Sequence, residues 1–172
     1  ASSVHSEGRK ARNIIERSRD DIMDLLGLNE GTIIFTSGAS ESAALLLHNK
    51  KLHCSAIEHD CVKKWCEVSI PIMKNGLVFL NESKNNLALQ IANSETGILQ
   101  NLPKGVACTD AVQAVGKIDC KFEKIQPEAL FLASHKVCGP KGVGVLFLKN
   151  EDSIQPTILG GNQEFGLRAG TE

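Results

Sequence analysis

Net charge is nearly absent from this sequence: 19 Lys and Arg against 20 Asp and Glu leave −1 at neutral pH. So even a balance leaves no electrostatic footprint for nucleic acid or an anionic membrane surface, and neither is expected as a partner. No apolar run is long enough to cross a bilayer, which takes about 20 residues. Residues 1–8 lack the apolar stretch of a secretory leader. Repeats and low-complexity linkers are missing. Paired Cys-x-x-Cys knuckles are missing too, which weighs against a zinc site made from Cys54, His59, Cys61 and Cys66. What remains is the balance of a globular domain, 42% hydrophobic and 23% charged over 172 residues, a length that predicts one domain. Six cysteines, at 54, 61, 66, 108, 120 and 138, lie within apolar stretches. With no export signal in view they are expected as free thiols in a reducing cytoplasm rather than as disulfides.

Apolar periodicity predicts a helix over 6–26, with Ala11, Ile14, Ile15, Ile22, Leu25 and Leu26 mostly on one face and Gly27 as its stop. A β-branched run at 32–36 predicts a strand, Ser37-Gly38 a turn, and 39–48 a helix. A strand at 52–57 and a short helix at 60–67 follow. Asn75-Gly76, between 68–73 and 77–80, signals a hairpin. Residues 87–92, 106–109, 129–133 and 143–148 are further strand candidates. Strands alternating with helices in the first half predict an α/β fold, a mainly parallel sheet flanked by helices. The second half is poorer in helix. Between Gly97 and Asp110, interrupted by Pro103 and Gly105, there is little room for a crossover helix.

Four features fall at the C-terminal ends of predicted strands, the edge where open α/β sheets bind ligands. Phe35-Thr-Ser-Gly-Ala-Ser-Glu41 puts a glycine turn before a helix, where free N–H groups and the helix dipole favour a phosphate. Glu58-His59 offers an imidazole that can stack on an aromatic ring; a surface histidine is the plain alternative. Asp110, in Cys108-Thr-Asp-Ala-Val-Gln113, can pair with a protonated ring nitrogen or cap a short helix after it. Gln113, one turn on, can reach a ring oxygen. Lys136 stands in Ser134-His-Lys-Val-Cys-Gly-Pro-Lys-Gly142, on a constrained loop between two apolar strands. Its amine is suited to Schiff-base chemistry if burial or nearby cations lower its pKa; otherwise it is a solvated loop charge. Each feature alone is weak, and the ordered conjunction of phosphate turn, stacking histidine, carboxylate and lysine is specific.

With those residues in view, the sequence resembles the class V aminotransferase group of fold-type I pyridoxal-phosphate (PLP) enzymes, in its cysteine desulfurase branch. The resemblance spans nearly the whole chain. Ser2-Ser-Val-His5 with Gly8-Arg-Lys-Ala11 is similar to the start of the family's first long helix, and Ala92-Asn-Ser-Glu-Thr-Gly97 to a loop beside the ring. Asp110-Ala-Val-Gln-Ala-Val-Gly-Lys117 and the Lys136 loop resemble its two most diagnostic stretches. Gly160-Gly-Asn-Gln-Glu-Phe-Gly-Leu-Arg-Ala-Gly-Thr-Glu172 resembles a segment whose threonine reaches the phosphate of the neighbouring subunit's cofactor. The resemblance implies that residues 1–172 form an incomplete large, cofactor-binding domain of a fold-type I PLP enzyme, without the C-terminal small domain.

Carried over residue by residue, the resemblance makes Lys136 the Schiff-base lysine and His59 the ring-stacking, proton-handling group. Asp110 pairs with the pyridinium and Gln113 with the phenolic oxygen. Ala39 and Ser40 contact the phosphate and His135 supports it. Ser94 and Ser134 also join the cofactor set, and Thr171 implies a homodimer with shared sites. The implied reaction takes L-cysteine to L-alanine. Sulfur passes to an enzyme cysteine as a persulfide, for iron–sulfur cluster or thio-cofactor assembly with a sulfur-acceptor or scaffold protein. Alternatives are another class V PLP enzyme, either a selenocysteine lyase or an aminotransferase, and a non-catalytic fragment. The departures are Ser40 for the usual Thr, Ser94 for the usual Asn, and Ala133 where Ser is common three residues before the lysine. None of the six cysteines aligns with the family's nucleophile, and Cys138 reads as a packing residue.

Overall fold

A computed structural model describes residues 5–80, 86–120 and 122–171. Ser2, Ser3, Val4 and Glu172, which belong to the quoted motifs, lie outside these. Helix α1 spans Ser6–Leu26. His5 caps it, its Nδ1 accepting the Gly8 N–H at 3.1 Å. Gly27 ends it in the left-handed conformation (φ 65°), with its N–H returned to the Asp24 carbonyl. The buried stripe differs from the expected one. Ile15, Arg19, Ile22 and Leu26 face the sheet, while Ile14 and Leu25 point outward, 67% and 73% exposed. A buried guanidinium takes the centre of the apolar face because it has ionic and backbone partners there, described below.

Strand β1 spans Thr32–Thr36, helix α2 Ala39–Leu47, strand β2 His53–Ser55, helix α3 Asp60–Lys63 and strand β3 Glu67–Ile70. The Asn75-Gly76 hairpin is reduced to one antiparallel bridge, Ile72 to Val78, around a turn with Gly76 at φ 81°. Strands β4 (Ala88–Gln90), β5 (Cys108–Asp110), β6 (Ala129–Ala133) and β7 (Gly144–Leu148) complete the set, with a single short helix, α4 (Phe122–Ile125), between β5 and β6. The main sheet has the order β1-β7-β6-β5-β4. Pairs β4–β5 and β5–β6 are parallel, while β7 runs antiparallel to both β6 and β1. Strand β1 therefore points the same way as β4, β5 and β6. The parallel pair β2–β3 is joined to β4 by the isolated parallel bridge His53–Leu87. The sheet is thus mixed, mostly parallel and flanked by helices. The antiparallel β7 follows from the loop at residues 137–143, too short to carry the chain across a face and back.

Strand β6 is buried on both faces. Phe131 packs with α2 residues Ala43, Leu46 and Leu47, whereas Leu130 and Leu132 pack with Leu26, Ala114 and Phe122, the alternation a central strand requires. Between β4 and β5 no helix forms, as the short 97–110 interval predicts. Instead Gln100 closes the gap, accepting the Val78 N–H and donating to the Gly76 carbonyl, each at 2.9 Å. All parallel strands thereby deliver their C-terminal ends to one edge.

Candidate active site

That edge holds a cavity of about 670 Å3. Eight of the sequence-predicted residues line it together: Ala39, Ser40, His59, Ser94, Asp110, Gln113, His135 and Lys136. They come from the ends of β1, β2, β4, β5 and β6, segments spread over residues 39–136. Ser134 and Thr171 are not in the lining. Ser134 instead donates its hydroxyl to the Pro140 carbonyl at 2.8 Å and staples the Lys136 loop. A side chain at Gly139 would collide with that hydroxyl. Thr171 is exposed at the end of the last segment.

The turn after β1 presents the start of α2 to the cavity. Gly38 is the N-cap, at φ 156° and ψ 175°, with no side chain capping the helix. The Ser37 N–H donates to Glu41 Oε2 at 2.7 Å and the first helical bond runs from the Ser42 N–H to the Gly38 carbonyl, which leaves the N–H groups of the first helical turn, from Ala39 on, to serve an anion. Gly144 on β7 lets this turn sit so low, since a Cβ there would lie 2.5 Å from the Gly38 Cα.

Asp110 is 8% exposed, and its Oδ1 accepts the Val112 N–H at 2.9 Å. Burial pushes its pKa up, opposed by the Val112 N–H and by nearby His59. The segment after it forms a series of turns rather than the expected short helix. Gln113 lines the cavity from those turns while its Oε1 accepts from Lys117 Nζ at 2.8 Å. His59 caps α3, and its Nδ1 accepts the Cys61 N–H at 3.1 Å. This bond assigns the ring proton to Nε2. Lys136 ends a one-turn 3-10 helix, Ser134–Lys136. It lines the cavity but is exposed rather than buried. Cys138 is also exposed and sits at φ 64°; it is a loop residue and not the packing residue expected. The cysteines at 54, 61, 66, 108, 120 and 138 are free thiols, and no metal-holding cluster occurs among the described residues.

Sequence reasoning assigned no role to Gln90, Glu95 or Lys141, which also line the cavity. Glu95 and Lys141 lie inside the quoted motifs. Gln90 carried no signal, because a glutamine in an apolar strand names no partner. Also unassigned was Glu58, fully buried behind His59, its carboxyl pushed up to about 8, first by burial and further by the charge of Asp110.

The cavity suits PLP by the chemistry of its donors: an uncapped helix start for a phosphate, a buried carboxylate with one hydrogen bond for a pyridinium, and an amine. The family model for aminotransferase class-V matches residues 1–69 and 70–171. Cysteine desulfurase IscS 1 of Archaeoglobus fulgidus is 37% identical over 204 residues, covering 99% of this chain and 53% of that protein. That matched stretch is longer than this entire chain, so the relative carries segments with no counterpart here. The X-ray structure of the NifS-like protein from Rickettsia africae ESF-5 superposes with TM-score 0.87 at 30% identity, over 99% of this chain and 56% of that one. A structure described as SspA in complex with cysteine gives TM-score 0.81 at 32% identity, over 99% and 60%. The chain spans about half the length of the curated relatives it matches. With fold, cavity and sequence all in agreement, the chain belongs to the class-V aminotransferase family, whose cofactor is pyridoxal 5'-phosphate.

Proposed function

We propose that the protein to which this chain belongs is a PLP-dependent cysteine desulfurase and that this chain supplies the cofactor site. The observation that carries the reading is the convergence of Asp110 and Lys136 on one cavity that also contains the open start of α2. When bound, PLP supplies an electron sink for the α-carbon of an amino acid. Lys136 Nζ would hold the cofactor's aldehyde carbon and would carry the α-proton. Asp110 would pair with the ring nitrogen. The N–H groups of Ala39 and Ser40, with His135, would hold the phosphate. Gln113 would donate its amide to the phenolic oxygen. His59 would stack on the ring and its Nε2 proton would serve the substrate thiol. Ser94 would offer a hydroxyl to the cofactor, and Ser134 fixes the loop that carries Lys136.

L-cysteine is the proposed substrate, L-alanine the product, and an enzyme thiol the carrier of sulfur toward iron–sulfur cluster or thio-cofactor assembly through an acceptor or scaffold protein. A structural relative described as binding cysteine supports the substrate. A homodimer is proposed in which Thr171 reaches the partner's cofactor; exposed Ile158, Leu159 and Phe165 near that terminus give it apolar surface to bury. A cytoplasmic location is proposed from the free thiols. The test is to mix the protein with PLP, reduce with borohydride, and map the label. Attachment at Lys136 and release of alanine from L-cysteine are expected. Alanine released from selenocysteine alone would favour a selenocysteine lyase, and no label at Lys136 would overturn the reading.

A further inference from the structure

The loop that carries His59 is poorly held by backbone. Among the described residues, strand β2 meets the β4 segment at the single bridge His53–Leu87, where the His53 N–H donates to the Asn86 carbonyl at 2.7 Å. Beyond that bridge no further β2–β4 pairing occurs among the described residues, and the β4 edge is left with N–H groups to satisfy. Glu58 satisfies one. Its Oε2 accepts the Gln90 N–H at 2.8 Å, and its Oε1 lies 2.9 Å from the Ser55 hydroxyl. The Ile57 carbonyl beside it accepts from Gln90 Nε2 at 2.8 Å and from Asn93 Nδ2 at 2.9 Å. Gln90 is in turn the register partner of Asp110 across β4–β5. One row of contacts therefore runs Ser55, Glu58, Gln90, Asp110, and His59 follows directly on the anchored carboxyl. His59 itself is exposed, and its Nδ1 bond to Cys61 lies within its own turn. Val62 of α3 is buried in the core and Cys61 packs against it, while the polar ties from this stretch to β4 and Asn93 are made at residues 57 and 58.

We propose that Glu58 is a positioning residue: its side chain replaces the missing β2–β4 ladder and so fixes His59 over the cavity opposite Asp110. The inference rests on the PLP reading and deepens it. The carboxyl works as a hydrogen-bonding strut and not as a charge. A glutamine of the same shape keeps the acceptor for the Gln90 N–H and offers its amide to Ser55.

The experiment measures PLP affinity and the visible band of the lysine-bound cofactor, with its pH midpoint, for Glu58→Gln, Glu58→Ala, His59→Ala and the double variant. Wild type is first reduced with borohydride. Failure to label Lys136 there sinks the PLP reading itself, before any variant is compared. Glu58→Gln is expected within about 3-fold of wild-type affinity, while Glu58→Ala and His59→Ala each weaken PLP about 10-fold, as displaced site groups do. Both should shift the band's pH midpoint in the same direction. The decisive figure is the double variant: acting through His59, Glu58→Ala adds no more than about 2-fold in the His59→Ala background. A fully additive double loss, or an unmoved band in Glu58→Ala, overturns the proposal. If Glu58→Ala does not fold, Glu58→Gln decides: retained affinity with an unmoved midpoint supports the strut, and a 10-fold loss overturns it.

Discussion

At the level of single residues, the site is a set of groups whose environments differ. Asp110 is buried yet accepts an N–H and faces the cavity; Glu58 is buried more deeply, behind it. Burial raises both carboxyls: Glu58 to about 8, helped by the charge of Asp110, and Asp110 upward against the Val112 N–H and His59. Replacing Asp110 by Ala is expected to weaken PLP about 100-fold, the ~3 kcal/mol of a broken buried ion pair, measured by equilibrium dialysis. A pH effect follows from Glu58. Its pKa is raised on folding, so its contribution to stability is full below the unfolded value of 4.5 and is lost as pH rises toward about 8. Wild type should therefore lose stability relative to Glu58→Gln over that window, by at most about 1.4 kcal/mol per pH unit, read from urea unfolding at pH 5, 6.5 and 8. The meeting of Asp110 and Lys136 at one cavity was legible in the sequence because short motifs surround them. The tie made by Glu58 was not, since nothing local says that β2 parts from β4 and leaves an N–H to be met.

Among the elements, the turns at the ends of strands depend on close backbone approach and on one buried ion pair. Gly144 permits the phosphate turn. Gly144→Ala is expected to keep the fold by circular dichroism and to weaken PLP about 10-fold, because a shift of an ångström at the turn misplaces its N–H groups. The C-terminal segment is tied to the same region. Arg19 on α1 makes a bidentate pair with Glu164 at 2.8 Å for both contacts and donates to the Ile33 carbonyl at 2.6 Å. Glu164 also accepts the Phe35 N–H at 2.8 Å, capping the outer edge of β1. Phe35 and Phe165 sandwich the guanidinium at 4.8 and 5.0 Å. Glu164→Ala should cost about 3 kcal/mol of unfolding free energy, with strong coupling to Arg19→Ala in a double-mutant cycle. Arg168 bonds Glu41 at 2.8 Å. Burial alone raises the Glu41 pKa, but Arg168 and the Ser37 donor outweigh it and hold the carboxyl below its usual range. Helices α1 and α2 and strands β1 and β6 could be read from periodicity and turn residues. The antiparallel β7 and the inward Arg19 could not, for each is decided by a partner far away in sequence.

For the molecule as a whole, the cavity lies where the parallel strands end, and large apolar side chains remain uncovered in the last segment of the chain: Leu159 is 81% and Phe165 52% exposed. Exposed apolar surface of this kind marks association. The chain is expected to run as a dimer or larger species in light scattering, and charged replacements at Leu159 and Phe165 should shift it toward monomer. The α/β class was readable from alternating strands and helices. Which edge becomes the site was readable only because a lysine, a carboxylate and a glycine turn all follow strands. Whether Lys136 and Asp110 serve one cofactor is read by borohydride reduction with PLP followed by peptide mass spectrometry. A single phosphopyridoxyl group on Lys136 is expected, lost in Lys136→Ala and reduced about 100-fold at limiting PLP in Asp110→Ala. Equal labelling of several surface lysines, unchanged by either substitution, would contradict it.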